Sequence, residues 1–228
     1  MGRILGLMSW CVCILGLGTI FLLAGCGSGG STRFRLMNAV PDESSLNVLL
    51  DNASVSSNLA YGTNTGYLSE KSGSHQIVIE PSGSSTTLLQ QSISFASGSD
   101  TTVISYNFSS SIANLALTDD NSAPASGDFK IRLINASPNL GPADVYIVTP
   151  GTSLSTVSPT LTNLGFGATA GYQSLTAANY EIELTSVGQK FAVVDTGTLT
   201  FTAGQVRTFV GLNNQSGGFT YAMLQDLN

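Results

Sequence analysis

The side chains able to do chemistry in this 228-residue chain are few, and their types limit the reactions to consider. There is one histidine, His75, among many serines. A serine nucleophile needs an adjacent base, usually an imidazole oriented by a third group. His75 opens a predicted strand at a place where the second half of the chain has Tyr180. A position that takes either ring reads as a packing or rim position, so no catalytic residue is assigned and no enzymatic activity is expected. Zinc needs three or four His, Cys or carboxylate ligands, and one histidine with cysteines confined to the first 26 residues does not supply them. Paired carboxylates could hydrolyse a glycoside across a cleft. The candidates are Asp42-Glu43, Asp119-Asp120 and Glu181 with Glu183. The last two share one strand face and are expected to point to solvent. Asp119-Asp120-Asn121 offers oxygen ligands without the spacing of a calcium loop. No metal and no cofactor are expected.

Two arginine–aspartate combinations recur. Arg35 and Asp119 in the first half return as Arg132 and Asp226 in the second. The expectation is that each arginine pairs with the aspartate of its own unit, as a clamp between first and last strands. An exposed pair of this kind is worth ~0–1 kcal/mol and would set register more than strength. Tyr61, Tyr67, Phe166 and Tyr172 also recur beside glycines; such rings can serve sugar-binding modules as flat platforms, but here they are expected to fill the core or brace a corner.

The elements that must position these residues begin after an apolar run from Ile4 to Ala24 that follows Met1 and Arg3. A greasy segment ending in small residues and then cysteine reads as a secretory signal. Leu23-Ala24-Gly25-Cys26 resembles the lipobox of bacterial lipoproteins. That resemblance implies cleavage before Cys26, a diacylglycerol on its sulfur and an acylated amino group. More than one acyl chain holds a protein stably on a membrane. Gly27, rather than aspartate, follows the cysteine, so the resemblance implies the outer membrane, on its periplasmic or cell-surface face. The run is also about the ~20 residues of a spanning helix; the short basic flank and the Leu-Ala-Gly-Cys order favour cleavage.

The 203 residues from Cys26 onward hold seven Lys or Arg against fourteen Asp or Glu. The whole chain is 10% charged, against ~25% in ordinary globular proteins. Nucleic-acid binding needs a basic stripe, and none is present. Cys26 is the one cysteine left after cleavage, so no disulfide is expected and stability must come from burial and backbone hydrogen bonding.

The chain repeats itself. Arg35-Leu36-Met37-Asn38-Ala39-Val40-Pro41-Asp42 returns as Arg132-Leu133-Ile134-Asn135-Ala136-Ser137-Pro138-Asn139. Asn58-Leu59-Ala60-Tyr61-Gly62 matches Asn163-Leu164-Gly165-Phe166-Gly167, and Gly66-Tyr67 matches Gly171-Tyr172. The order is kept throughout, with a loop insertion near Thr149-Pro150-Gly151-Thr152, which reads as a tandem duplication. The boundaries are a signal peptide at 1–25, a flexible tether at 26–31, a first module at 32–119, a turn-rich linker at 120–127 and a second module at 128–228.

Each unit reads as short strands. Phe34 and Leu36 alternate with Arg33 and Arg35, and Ile131 and Leu133 with Lys130 and Arg132, a period of two that places the basic residues in water. Strands are also predicted over Val193 to Phe201, Gln205 to Asn213 and Thr220 to Gln225, with Ala203-Gly204 as a hairpin turn. About seven strands per unit without a helical period predict an all-β protein of two tandem antiparallel β-sandwiches of immunoglobulin-like type after an N-terminal signal helix.

The Arg-Leu-x-Asn-Ala-x-Pro opening, the Ala143-Asp144-Val145-Tyr146 strand and the Gly-Tyr element resemble a bacterial extracellular module, domain of unknown function 4397, often found in tandem on secreted or anchored proteins. The first unit departs from it with Asn47 and Leu49 in place of Asp144 and Tyr146. The resemblance implies fold and an envelope location, with no catalytic residues to carry over. The function expected is binding or adhesion at the cell surface, with a membrane reached through Cys26 and an envelope or extracellular protein or glycan as partner; the alternative is a periplasmic structural or assembly component of the outer membrane.

Overall fold

The computed structural model describes Gly2 and residues 30–226. The signal segment, Leu23-Ala24-Gly25, Cys26 and tether residues 27–29 lie outside the described residues. The strands are β1 (Ser31–Ala39), β2 (Ser45–Leu50), β3 (Ala53–Ala60), β4 (Leu68–Lys71), β5 (Gly73–Pro81), β6 (Leu89–Phe95), β7 (Asp100–Tyr106) and β8 (Ala113–Thr118) in the first half. The second half has β9 (Asp128–Asn135), β10 (Ala143–Val148), β11 (Leu161–Leu164), β12 (Thr169–Thr176), β13 (Asn179–Ser186), β14 (Val194–Asp195), β15 (Leu199–Thr200), β16 (Val206–Asn213) and β17 (Phe219–Gln225). Two short 3₁₀ turns are the only helical elements among the described residues.

The protein is all-β and built of sandwiches. In the first half an outer sheet, β3-β2-β5-β6, packs on an inner sheet, β4-β1-β7-β8. The second half repeats this order, with outer sheet β11-β10-β13-β14 (β15 also on β13) and inner sheet β12-β9-β16-β17. Pairing is antiparallel except at one seam in each half, where β1 runs parallel to β7 and β9 to β16. Those seams set Arg35 opposite Thr102 and Arg132 opposite Thr208.

Between the sheets of the first half lie Phe34, Leu36, Val48, Ile77, Ile79 and Phe95. Phe129, Ile131, Leu133, Val145, Ile182 and Phe209 fill the second half. Each core is centred on stacked phenylalanines, Phe34 on Phe95 at 4.9 Å and Phe129 on Phe201 at 4.3 Å. His75 and Tyr180 lie against these pairs in equivalent places, which accounts for the exchange of one ring for the other.

A third core joins the inner sheets through their far faces. Met37, Ala39 and Ile104 of the first half meet Ile134, Ala136, Val210, Leu212 and Leu224 of the second. The molecule is therefore four sheets deep, and β1 and β9 are buried on both faces. Each Leu or Ile so buried contributes ~1.5–3 kcal/mol. The alternation read from sequence is correct, but its polar face is not solvent. Lys130, Arg35 and Arg132 are buried, because an equivalent sheet covers that side; Arg33, at the open end, keeps half its side chain exposed.

Other expectations are corrected locally. The strand expected over Val193 to Phe201 is two short pieces, β14 and β15, interrupted where Gly197 takes φ 60°. Ala203-Gly204 does not close a hairpin, since β15 and β16 belong to different sheets. Instead it crosses between them, with the Gly204 amide on the Asp128 carbonyl at 2.8 Å. Glu183 is nine-tenths buried and Glu181 half-buried. The insertion after β10 folds over this face, with the Gly151 amide donating to Glu181 at 3.0 Å. Burial, then the nearby Asp195 and Glu181 carboxylates, raise the Glu183 pKa.

The motif residues of the repeat are structural. Asn38 Nδ2 donates to the Leu59 carbonyl at 3.1 Å while its Oδ1 accepts from the Val40 amide at 2.9 Å. Asn135 does the same with Leu164 and Ser137 at 3.0 and 3.1 Å, and adds the Gly141 carbonyl at 2.7 Å. Asn47 and Asp144 each accept the amide of an asparagine held at positive φ, Asn58 at 3.0 Å and Asn163 at 2.8 Å. Either side chain supplies that oxygen, so the Asn/Asp difference between the units leaves the turn intact.

His75 sits between two acceptors, the Asp51 carboxylate at 2.7 Å from Nδ1 and the Lys71 carbonyl at 2.9 Å from Nε2. A neutral imidazole has one N–H and can serve only one of them. Burial works against the charged ring, but the bonds to Asp51 and Lys71 outweigh it and raise the His75 pKa above its ordinary value. This contribution is complete below the unfolded-state pKa of ~6.5 and is lost as pH rises through the raised folded value. Urea midpoints of wild type and His75→Gln should differ most below pH ~6.5, and the gap should narrow as pH rises through the raised folded value; a gap independent of pH would contradict the doubly bonded ring.

Candidate functional site

The recurrent charges lie between the inner sheets. Arg35 on β1 and Thr102 on β7 face the second half, and Arg132 on β9 and Thr208 on β16 face the first. Asp119 and Asp226 follow directly after β8 and β17. Arg35 Nε donates to Thr102 Oγ1 at 2.8 Å, Nη1 to the Gln225 carbonyl at 2.8 Å, and Nη2 to the Asp226 carboxylate. Arg132 Nη2 donates to Asp119 Oδ1 at 2.6 Å, and its Nε and Nη2 to Thr208 Oγ1 at 3.2 and 3.0 Å. Each arginine therefore pairs with the aspartate of the other half. The expected pairs, Arg35 with Asp119 and Arg132 with Asp226, are exchanged.

The physical reason is the face-to-face meeting of two equivalent sheets. An arginine on the central strand extends away from its own sheet, and the charge it reaches is the last-strand aspartate opposite. Its own aspartate is held one step back. Thr102 Oγ1 bonds Asp119 at 2.7–2.8 Å, and Thr208 Oγ1 bonds Asp226 at 3.1–3.3 Å. All four charged side chains are at most 3% exposed, so these are buried pairs rather than surface clamps.

Tyr67 and Tyr172 complete the set. Their hydroxyls donate to Asp119 Oδ2 at 2.6 Å and Asp226 Oδ2 at 2.7 Å. Their rings lie 4.8 and 4.9 Å from the guanidinium carbons of Arg35 and Arg132. Burial raises both phenol pKa values, so the hydroxyls stay protonated and donate. Each carboxylate is thereby saturated by an arginine, a threonine and a tyrosine, the condition under which a buried ion pair is tolerated. Sequence reasoning found the arginines and aspartates but missed Thr102 and Thr208, which lie 17 and 18 residues before the aspartate of their own half.

Around this centre the contacts again come in equivalent pairs. Tyr61 donates to the Asn213 carbonyl at 2.6 Å, and Phe166 packs edge-on against Tyr106 at 5.4 Å. The 120–127 segment is tied to both halves. Asn121 Nδ2 donates to Asp100 Oδ2 at 2.8 Å, and Lys130 Nζ lies 2.8 Å from Asp120. The bonds from Lys130 and Ser122 lower the Asp120 pKa to about 2.

In this arrangement the arginines, aspartates, threonines and tyrosines shared by both halves bond one another. Those bonds lock two equivalent surfaces together and use the charges that both units share to do so.

The family model described as "Domain of unknown function (DUF4397)" matches residues 32–146, just over half of the chain. The chain belongs to that family. The DUF4397 match runs from β1 through β10, so it contains both Arg-Leu-x-Asn-Ala openings and the Asp144-Val145-Tyr146 strand. No curated protein matches the chain. Among solved structures, a streptococcal virulence factor that binds α-glucan shares 12% identity at a TM-score of 0.28, over 84% of this chain and 97% of that one. A family 26 carbohydrate-binding module of Eubacterium rectale Amy13K, solved with maltoheptaose, shares 9% identity at a TM-score of 0.28, over 87% of this chain and 98% of that one. Likenesses at this level carry no argument about what this DUF4397 protein binds.

Proposed function

We propose that the chain is a lipid-anchored protein of the bacterial cell envelope whose two modules, 32–119 and 128–228, form one rigid, non-catalytic body that binds a partner at the cell surface. Leu23-Ala24-Gly25-Cys26 supports the anchor, and the short tether at 26–31 reaches only ~10–15 Å, so the first module stays close to the membrane.

The observation that carries the binding role is Phe191. It is 79% exposed, and Val187, four residues earlier in the same loop, is 46% exposed, the two large apolar side chains left in solvent among the described residues. Their loop is pinned from several directions. The Gly188 amide donates to Asp144 at 2.8 Å, the Gln189 amide to the Ser186 carbonyl at 2.9 Å, and Lys190 Nζ to the Val157 carbonyl while lying 4.9 Å over the Tyr146 ring. An aromatic side chain held outward on an ordered loop loses little conformational entropy when a protein or glycan covers it. The equivalent first-half loop, Ser82-Gly83-Ser84-Ser85-Thr86, has no such residue.

Protease treatment of intact cells tests the reading, with a Cys26→Ser strain as the unanchored control. Digestion of both modules in intact cells, and release of Cys26→Ser from the membrane fraction, is the expected result. Protection until the outer membrane is broken would move the protein to the periplasm and favour a structural or assembly role. Retention of Cys26→Ser on the membrane would refute the lipid anchor.

A further inference from the structure

At one edge of the second sandwich, where the inner and outer sheets part, lies a cleft of about 240 Å³. Its walls are Leu199 and Phe201 on one side and Gln205, Arg207, Met223 and Gln225 on the other. Arg207 and Gln225 are directly opposed across β16 and β17, so they share a face. The next residue on that face of β16, Phe209, belongs to the second core. Arg207 is thus a half-buried guanidinium at the rim of an apolar interior.

Its bonding is incomplete. Arg33, Arg35 and Arg132 each hold an aspartate. Arg207 donates from Nη1 to the neighbouring Val206 carbonyl at 2.8 Å, and among the described residues its Nε and Nη2 have no acceptor. Gln205 accepts the Thr202 amide through Oε1 at 3.1 Å, which leaves its NH₂ group to donate. A guanidinium fork that shares the cleft wall with the Gln205 and Gln225 side chains matches a carboxylate. Phe201 is buried with one ring face stacked on Phe129, while Leu199 and Met223 present aliphatic surface. That lining suits a short aliphatic body better than a hydroxylated ring. The first half has Thr101, Ala116 and Thr118 at the places of Arg207, Met223 and Gln225, so the feature belongs to the second half alone.

We propose that this cleft binds a small aliphatic carboxylate, with Arg207, Gln205 and Gln225 on the carboxylate and Leu199 and Met223 on the aliphatic chain. The proposal rests on the binding role above and gives it a ligand class.

The test is an amide-resolved NMR titration of the protein from Cys26 onward, carrying Cys26→Ser. N-acetylleucine should produce saturable shifts around Arg207, Met223 and Gln225, with a dissociation constant on the order of 1 mM for so small a ligand. Its uncharged amide should bind at least ~10-fold more weakly, and Arg207→Gln should weaken N-acetylleucine by ~10-fold or more. Arg207→Lys, which keeps the charge without the fork, should fall between and confirms that the fold survives. A peptide ending in leucine separates the sources. Binding equal to the free acid assigns the site to chain termini, and binding of the free acid alone assigns it to a small molecule. No saturable shift, equal shifts from the amide, unchanged binding in Arg207→Gln, or tighter binding of glucuronate would each overturn the proposal. None of these outcomes bears on whether the modules face outward, which the protease experiment reads separately.

Discussion

Replacing Asp226 with alanine will destabilise the protein by ~3–5 kcal/mol, the cost of stranding a buried charge. Arg35 is fully buried, and the substitution removes its countercharge together with the acceptor of Tyr172 and Thr208. Arg132 and Asp119 form the equivalent pair, so Asp119→Ala should behave alike. Asp100→Ala is the control. Its partner Arg33 keeps half its side chain in solvent, so even with the Asn121 bond to Asp100 lost as well the cost should stay clearly below that at Asp226. The double replacement Arg35→Met with Asp226→Leu should cost less than Asp226→Ala alone, because apolar side chains of similar volume leave no orphan charge. Urea denaturation of the set measures all of this, and equal small losses at Asp226 and Asp100 would contradict a buried exchanged pair.

The second large effect is expected at Asn135. Its side chain is fully buried and joins the Leu164 and Gly141 carbonyls to the Ser137 amide. Alanine there leaves three backbone groups without a partner, and each orphaned buried group costs ~1–3 kcal/mol. A loss of ~3 kcal/mol or more is expected. Asn38→Ala, which frees the Leu59 carbonyl and Val40 amide, should cost less. The ordering of the two variants in thermal or urea unfolding checks the count of bonds rather than the mere presence of an asparagine.

Both effects show which parts of the molecule the sequence could reveal. The alternation of Phe34 and Leu36 with Arg33 and Arg35 marks a strand and its core face without ambiguity, and the repeat predicts that the second half will copy the first. The far face of the inner sheet was hidden. A charged residue in the polar phase of a strand ordinarily meets water, and nothing local at Arg35 or Arg132 says that a second sheet lies across it. Their recurrence was the available signal. It identified residues that matter to both units but could not say which aspartate each arginine meets, since that depends on how the two sheets face each other. Tyr67 and Tyr172 were legible as recurrent Gly-Tyr elements, and their hydrogen bonds to Asp119 and Asp226 were not. Arg207 carried no signal at all, because the repeat places threonine there and a lone arginine in an acidic chain reads as surface.

Exchanged arginine–aspartate pairs and the third core join the two halves, so the protein should unfold as a single body. Differential scanning calorimetry of the protein from Cys26 onward, with Cys26→Ser, tests this most directly. A single transition with equal calorimetric and van't Hoff enthalpies is the predicted result, splitting into two when Arg35 and Arg132 are both replaced by alanine. Two separate transitions in the protein with both arginines intact would mean that the halves fold and melt independently, and that the charges between them do not hold them together.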